Sequence, residues 1–190
     1  MSEHPSTVRP ARVTMVCTGN ICRSPAMHYL AQRDWGDAAE VTSAGIYAEI
    51  GMDATQEMRR SARRHGLTIP RHRPTQLDRA ILSQADLVLV ATQQHLTWIE
   101  REWGSLAPHV FGIKEAAELT QRADAPAGDS PRERLTNAAA SLHAARVAHP
   151  APVRSLDDPW SLDEATYDRV MGEIVEDLEA LTDWAELRTA

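Results

Sequence analysis

The sequence predicts an α/β domain built on a parallel sheet, and three observations carry that reading. Short apolar runs alternate with helix-patterned stretches, the order that pairs strands in parallel and covers both faces with helices. The clearest run, residues 85–90, reads Ala-Asp-Leu-Val-Leu-Val, too aliphatic and β-branched for a half-solvated strand. A length of 190 residues with 43% hydrophobic content suits one domain with a well-buried core.

The elements follow in order. Residues 12–16 form a buried strand, and residues 24–35 carry Met27, Leu30 and Ala31 at helical spacing. A second strand over 40–44 ends at Gly45, and a helix from about 54 to 65 is stopped by Gly66 in the C′ position. Residues 68–75, with two prolines, read as an ordered loop; 76–83 as a short helix; 85–90 as a strand. A helix over 93–103 closes at Gly104, a fourth strand covers 109–111, and a final helix over 161–187 sets Val170, Ile174, Leu178 and Leu181 at core spacing. Residues 1–10 are expected to be a flexible tail ahead of a domain spanning 11–190. The Ala- and Pro-rich stretch at about 123–151 is expected to be a helical insert, with its helix from Pro131 to about Val147. Its flanks should be flexible, and it is not a separate domain because its apolar residues are too small and few for a core of its own.

A net charge of −7 and the lack of a long basic stretch argue against general nucleic-acid binding. Arg59, Arg60, Arg63, Arg64, Arg71 and Arg73 cluster, either as a solvated face or as a rim that attracts anions. Lys114 is the only lysine. Two cysteines five apart give no disulfide framework, and nothing resembles a signal peptide or a membrane span, so a cytoplasmic protein without membrane insertion is expected. The eight histidines show no ligand spacing near acids, so neither a metal nor another cofactor is expected.

The first strand runs into Cys17-Thr18-Gly19-Asn20-Ile21-Cys22-Arg23-Ser24-Pro25. Alone, a cysteine and an arginine at this spacing also fit a buried thiol beside an unrelated surface arginine. With Gly19 allowing a tight curl and a helix starting at Ser24-Pro25, the loop aims successive N–H groups at one point. Donors focused there stabilise negative charge, and Arg23 offers a planar fork for two phosphate oxygens. A cysteine attacking a phosphate ester needs a group to protonate the leaving oxygen. Asp158, in Asp157-Asp158-Pro159-Trp160, is the candidate, its other reading being a helix start capped by Asp158 or Ser161.

These residues, with Ser43-Ala44-Gly45 and His72, resemble the low-molecular-weight protein-tyrosine-phosphatase family over most of the chain. The resemblance implies a flavodoxin-like sheet of order 2-1-3-4 and phosphotyrosine hydrolysis through a phosphocysteine on Cys17. Arg23 would clamp the phosphate and Asp158 serve as general acid and base, with Thr18, Gly19, Asn20, Ile21, Cys22 and Ser24 as the phosphate loop. Asn20 would sit in a left-handed turn tied by Ser24, Ser43 and His72, and Ser24 would donate to Cys17. Cys22 would be a partner for a reversible disulfide or a buried spacer. Tyr47 and Trp160 would form the substrate wall. The implied partners are tyrosine-phosphorylated proteins, a bacterial tyrosine kinase among them.

Thr18 stands where leucine is frequent in that family, and His28 where glutamate is usual. A phosphoarginine phosphatase is the nearest alternative, disfavoured by Ile21 where that branch has threonine. Arsenate reduction is less favoured because no cysteine follows Cys22, and a non-catalytic phosphate-binding role is disfavoured by the complete set of nucleophile, arginine and acid.

Overall fold

The computed structural model describes residues 9–188. Four parallel strands, β1 (Ala11–Cys17), β2 (Ala39–Gly45), β3 (Leu87–Val90) and β4 (Val110–Gly112), lie in the order β2-β1-β3-β4. β1 is therefore internal, and its five C-terminal residues are all buried. Its last residue, Cys17, pairs with Gly45, so loop and motif glycine meet at one end of the sheet. Ligands of open α/β sheets bind at the carboxyl ends of the strands.

The helices are α1 (Arg23–Trp35), α2 (Gln56–Arg64), α3 (Arg79–Gln84), α4 (Gln93–Trp103), α5 (Ile113–Leu119), α6 (Pro131–Ala148) and α7 (Glu164–Trp184). α3 and α4 close one face over Val16, Val88 and Val90. α1, α2, α5, α6 and α7 share the other core with Val13, Met15, Leu87 and Leu89.

Boundaries shift where capping residues act. α3 begins after Asp78, whose carboxylate accepts the Ile81 amide at 2.8 Å, and α7 after Asp163, which accepts Thr166 N–H at 2.9 Å. The cap is thus neither Asp158 nor Ser161; Ser161 instead takes a φ of +62°. α5, absent from the sequence reading, starts where Glu115 accepts the Gly112 amide at 3.0 Å. Its Lys114 is buried against α7 and paired with Glu173 at 2.8 Å.

Of the tail expected over 1–10, residues 1–8 lie outside the described part. Arg9 is held: its guanidinium donates to both Asp86 oxygens at 2.7 and 2.9 Å, and Asp86 also accepts the Arg12 amide at 2.7 Å.

The stretch expected as a helical insert without a core of its own contributes its helix to the main core. Leu135, Ala138, Ala139, Leu142 and Ala145 of α6 are buried in the main core, and α6 packs on β1 and β3. Small residues are what let it approach the sheet closely. Ser130 and Glu133 form a reciprocal cap at its start, with Pro131 in the first turn. Leu142 is fully buried. Leu142→Ala should destabilise the fold by about 2–5 kcal/mol in urea unfolding, against nearly nothing for a side chain on a free insert.

Candidate active site

Residues 18–22 bridge the end of β1 and the start of α1. The carbonyls of Cys17, Thr18 and Gly19 accept amides of Ile46, Tyr47 and Glu49 at 3.0 Å each, and that of Ile21 accepts Thr55 N–H at 2.9 Å. With these carbonyls held by the segment after β2, the amides of residues 18–22 have no acceptor among the described residues. They form a concave donor surface beside the positive end of α1.

Gly45 makes this close approach sterically permissible. A Cβ there would lie 2.5 Å from the Thr18 carbonyl oxygen and 3.0 Å from the Asn20 nitrogen. Asn20 takes the left-handed conformation, with φ +57°. Its amide orientation is fixed because the Thr75 backbone N–H must donate to Oδ1, at 2.9 Å. Nδ2 therefore donates to Ser24 at 2.8 Å and to Ser43 at 3.0 Å. Both serines extend the network: Ser24 lies 3.0 Å from Cys17 Sγ, and Ser43 lies 3.2 Å from His28 Nδ1.

His72 makes no bond to the Asn20 side chain. Its Nδ1 meets Tyr29 OH at 3.2 Å, its backbone N–H donates to Asp53 at 2.7 Å, and its buried Nε2 has no hydrogen-bond partner. Burial lowers its pKa, opposed by the Asn20 backbone and by Asp53. His28 joins the Asn20 network one bond further out, through Ser43.

Arg23, only 3% exposed, crosses the opening. Nη2 pairs with Asp158 at 2.8 Å, Nη1 reaches the Leu156 carbonyl at 3.4 Å, and Nε is buried without a partner. Cys17, Thr18, Gly19, Ile21, Cys22, Arg23, Glu49, Asp158 and Trp160 line a cavity of about 110 Å³. A larger cavity of about 250 Å³ beside α5 and the end of α6 contains none of these residues.

Tyr47 does not line the cavity. It is 62% exposed, accepts a hydrogen bond from Trp98 Nε1 at 2.8 Å and packs edge-on against that ring. Glu49, two residues on, stands in its place, while Trp160 does line the opening. Both cysteines are free thiols at the cavity. Burial pushes the Cys22 thiol up to about 11 despite hydrogen bonds from Thr55 and Tyr167. The residues the sequence reading missed are Glu49 and His95. His95 was detectable from Thr92-x-x-His95, a variant of the Ser/Thr-x-x-Glu/Gln capping signature.

Burial lowers His28 to about 4, with His72 adding repulsion, and lowers His95 to about 3, with Arg23 adding to it. Between pH 6.5 and 4 the unfolded chain therefore binds more protons at these positions. Stability is complete above pH 6.5 and falls with pH by up to about 1.4 kcal/mol per unit for each histidine. Asp177, raised to about 6 by burial, opposes only part of this. Urea midpoints should drop from pH 7 to pH 5, and His28→Gln should flatten that slope. Gly45→Ala should cost about 1–3 kcal/mol in the same assay and weaken phosphate binding, because the Thr18 carbonyl must move.

A sequence model described as low molecular weight phosphotyrosine protein phosphatase matches residues 12–131. Low molecular weight protein-tyrosine-phosphatase Ptp of Acinetobacter johnsonii is 36% identical over 91 residues, 48% of this chain and 63% of that protein. The chain thus spans less than two thirds of that relative. Protein-arginine-phosphatase of Geobacillus stearothermophilus is 31% identical over 106 residues, 56% of this chain and 71% of the relative. The crystal structure of a YwlE mutant from Bacillus subtilis shares the fold, with a TM-score of 0.69 at 22% identity over 93% of this chain and 99% of that one. Matched over more than half of its length, the chain belongs to the low molecular weight phosphotyrosine protein phosphatase family.

Proposed function

We propose that the protein hydrolyses phosphotyrosine in other proteins through a phosphocysteine on Cys17. The observation that carries this reading is Arg23: a buried guanidinium paired with Asp158, with Nε still unpartnered, in the cavity that holds Cys17. In the first step the Cys17 thiolate attacks phosphorus, the ester P–O bond breaks, and protonated Asp158 gives its proton to the phenolate oxygen. In the second step Asp158 takes a proton from water as that water attacks the phosphocysteine. The S–P bond breaks, and inorganic phosphate leaves. Arg23 and the loop amides hold the three equatorial oxygens while charge develops on them. Ser24, already an acceptor from Asn20, donates to the Cys17 sulfur.

Ile21 and Trp160 at the opening support a phenyl ring as the group that carries the phosphate. The partners on this reading are tyrosine-phosphorylated proteins, such as a bacterial tyrosine kinase. Two free thiols and no disulfide support a reducing, cytoplasmic setting. No helix among the described residues is long and apolar enough to cross a membrane. A second reading, phosphoarginine hydrolysis, is favoured by one observation: the carboxylates of Glu49 and Asp158 on the wall suit a guanidinium.

Turnover of a small aryl phosphate in chelator-treated buffer is the expected result. Cys17→Ser should abolish it, and Asp158→Ala should lower kcat by about 10²–10⁴-fold. Full activity in the Cys17→Ser protein would overturn the mechanism. Comparing phosphotyrosine with phosphoarginine in one assay decides the substrate, the former being expected to turn over faster.

A further inference from the structure

His95 is 2% exposed and sits in the first turn of α4, behind the phosphate loop. Its Nδ1 lies 3.1 Å from the backbone nitrogen of Thr92. A backbone N–H can only donate, so Nδ1 is the unprotonated nitrogen of a neutral ring. The ring proton is then on Nε2, which lies 3.0 Å from Thr18 Oγ1. Nε2–H must donate and Thr18 must accept. The hydroxyl proton of Thr18 is thereby excluded from His95, and it has no other acceptor among the described residues. Thr18 lines the cavity beside Cys17 and Arg23.

We propose that His95 and Thr18 form an orienting pair, in which His95 Nε2–H fixes the Thr18 oxygen and leaves its hydroxyl proton as a donor to an oxygen of the bound phosphoryl group. Thr18 touches the ligand, and His95 is a positioning residue acting through it. The backbone amides supply donors whatever side chains the loop carries; this donor depends on a threonine at position 18 and a histidine three residues into α4. Burial and the nearby Arg23 charge keep His95 neutral at physiological pH, so the direction of the bond does not reverse there.

The proposal rests on the site binding a phosphoryl group. It is therefore tested by binding of inorganic phosphate, followed by calorimetry separately from turnover. Thr18→Val keeps the shape and removes the hydroxyl. It should weaken phosphate binding about tenfold, the size of one hydrogen bond to a charged group, while Thr18→Ser should stay within about twofold of the parent. His95→Asn puts an oxygen where Nδ1 caps the Thr92 amide, preserving the capping box and the fold, while its amide nitrogen stops short of the Nε2 position and cannot donate to Thr18. It should also weaken binding, and Thr18→Val with His95→Asn should be no weaker than Thr18→Val alone. Unchanged phosphate affinity in Thr18→Val, or a full additional loss from His95→Asn in the Thr18→Val background, would overturn the pair. If the affinities change as expected while no variant or parent turns over an aryl phosphate, the phosphatase reading fails and the pair stands.

Discussion

Four loop carbonyls, those of Cys17, Thr18, Gly19 and Ile21, are turned away from the cavity by amides of the segment that follows β2. A peptide unit cannot point both its dipole ends the same way, so pinning the oxygens outward directs the nitrogens inward. The chain between β2 and α2 is therefore part of the phosphate site although only Glu49 from it lines the cavity. Gly45 belongs to the same constraint, since a side chain there would push the Thr18 carbonyl off its partner. The register of β1 against β2, which sets Cys17 opposite Gly45, is thus the long-range contact that the local chemistry needs.

Within that frame the side-chain network has a direction. Asn20 spends both amide protons on serines, and the serines in turn meet a sulfur and an imidazole. Every member is buried or nearly so, which makes an unmade bond costly and the arrangement specific. Arg23 is the exception by design of its surroundings: a buried cation with one half-exposed carboxylate and one orphaned donor is under-compensated until an anion reaches it. The site's affinity for a phosphoryl group and its stored desolvation cost are two aspects of the same burial.

Much of this could be read in the chain. The alternation of apolar runs and helical spacing gives four strands because each is short and the first three lead into helix-patterned stretches. The Cys17-to-Pro25 segment carries its own turn, donors and helix start. What escaped depends on packing at a distance. α5 follows β4 with no intervening polar turn, so its only signal is Glu115 reaching back to Gly112. α6 reads as marginal because alanine counts little in a hydrophobic pattern, yet against a flat sheet a small side chain brings two backbones together. Tyr47 and Glu49 project differently because the tight segment after Gly45 has no fixed periodicity, and the Trp98 indole, 51 residues on, claims the tyrosine. The role of His95 follows from its tautomer, which a hydrogen-bond partner decides and a sequence does not contain.

The lysine on α5 has a consequence of a different kind. Lys114 is the single lysine of the chain, and its ammonium is buried against α7 between Glu173 and Asp177. The folded surface consequently offers arginine as its cation and no accessible side-chain amine. Acetylation, amine-reactive cross-linking and isopeptide tagging of lysine all require opening the α5–α7 contact first, so the reactivity of that one amine reports on the integrity of the helical layer behind the sheet.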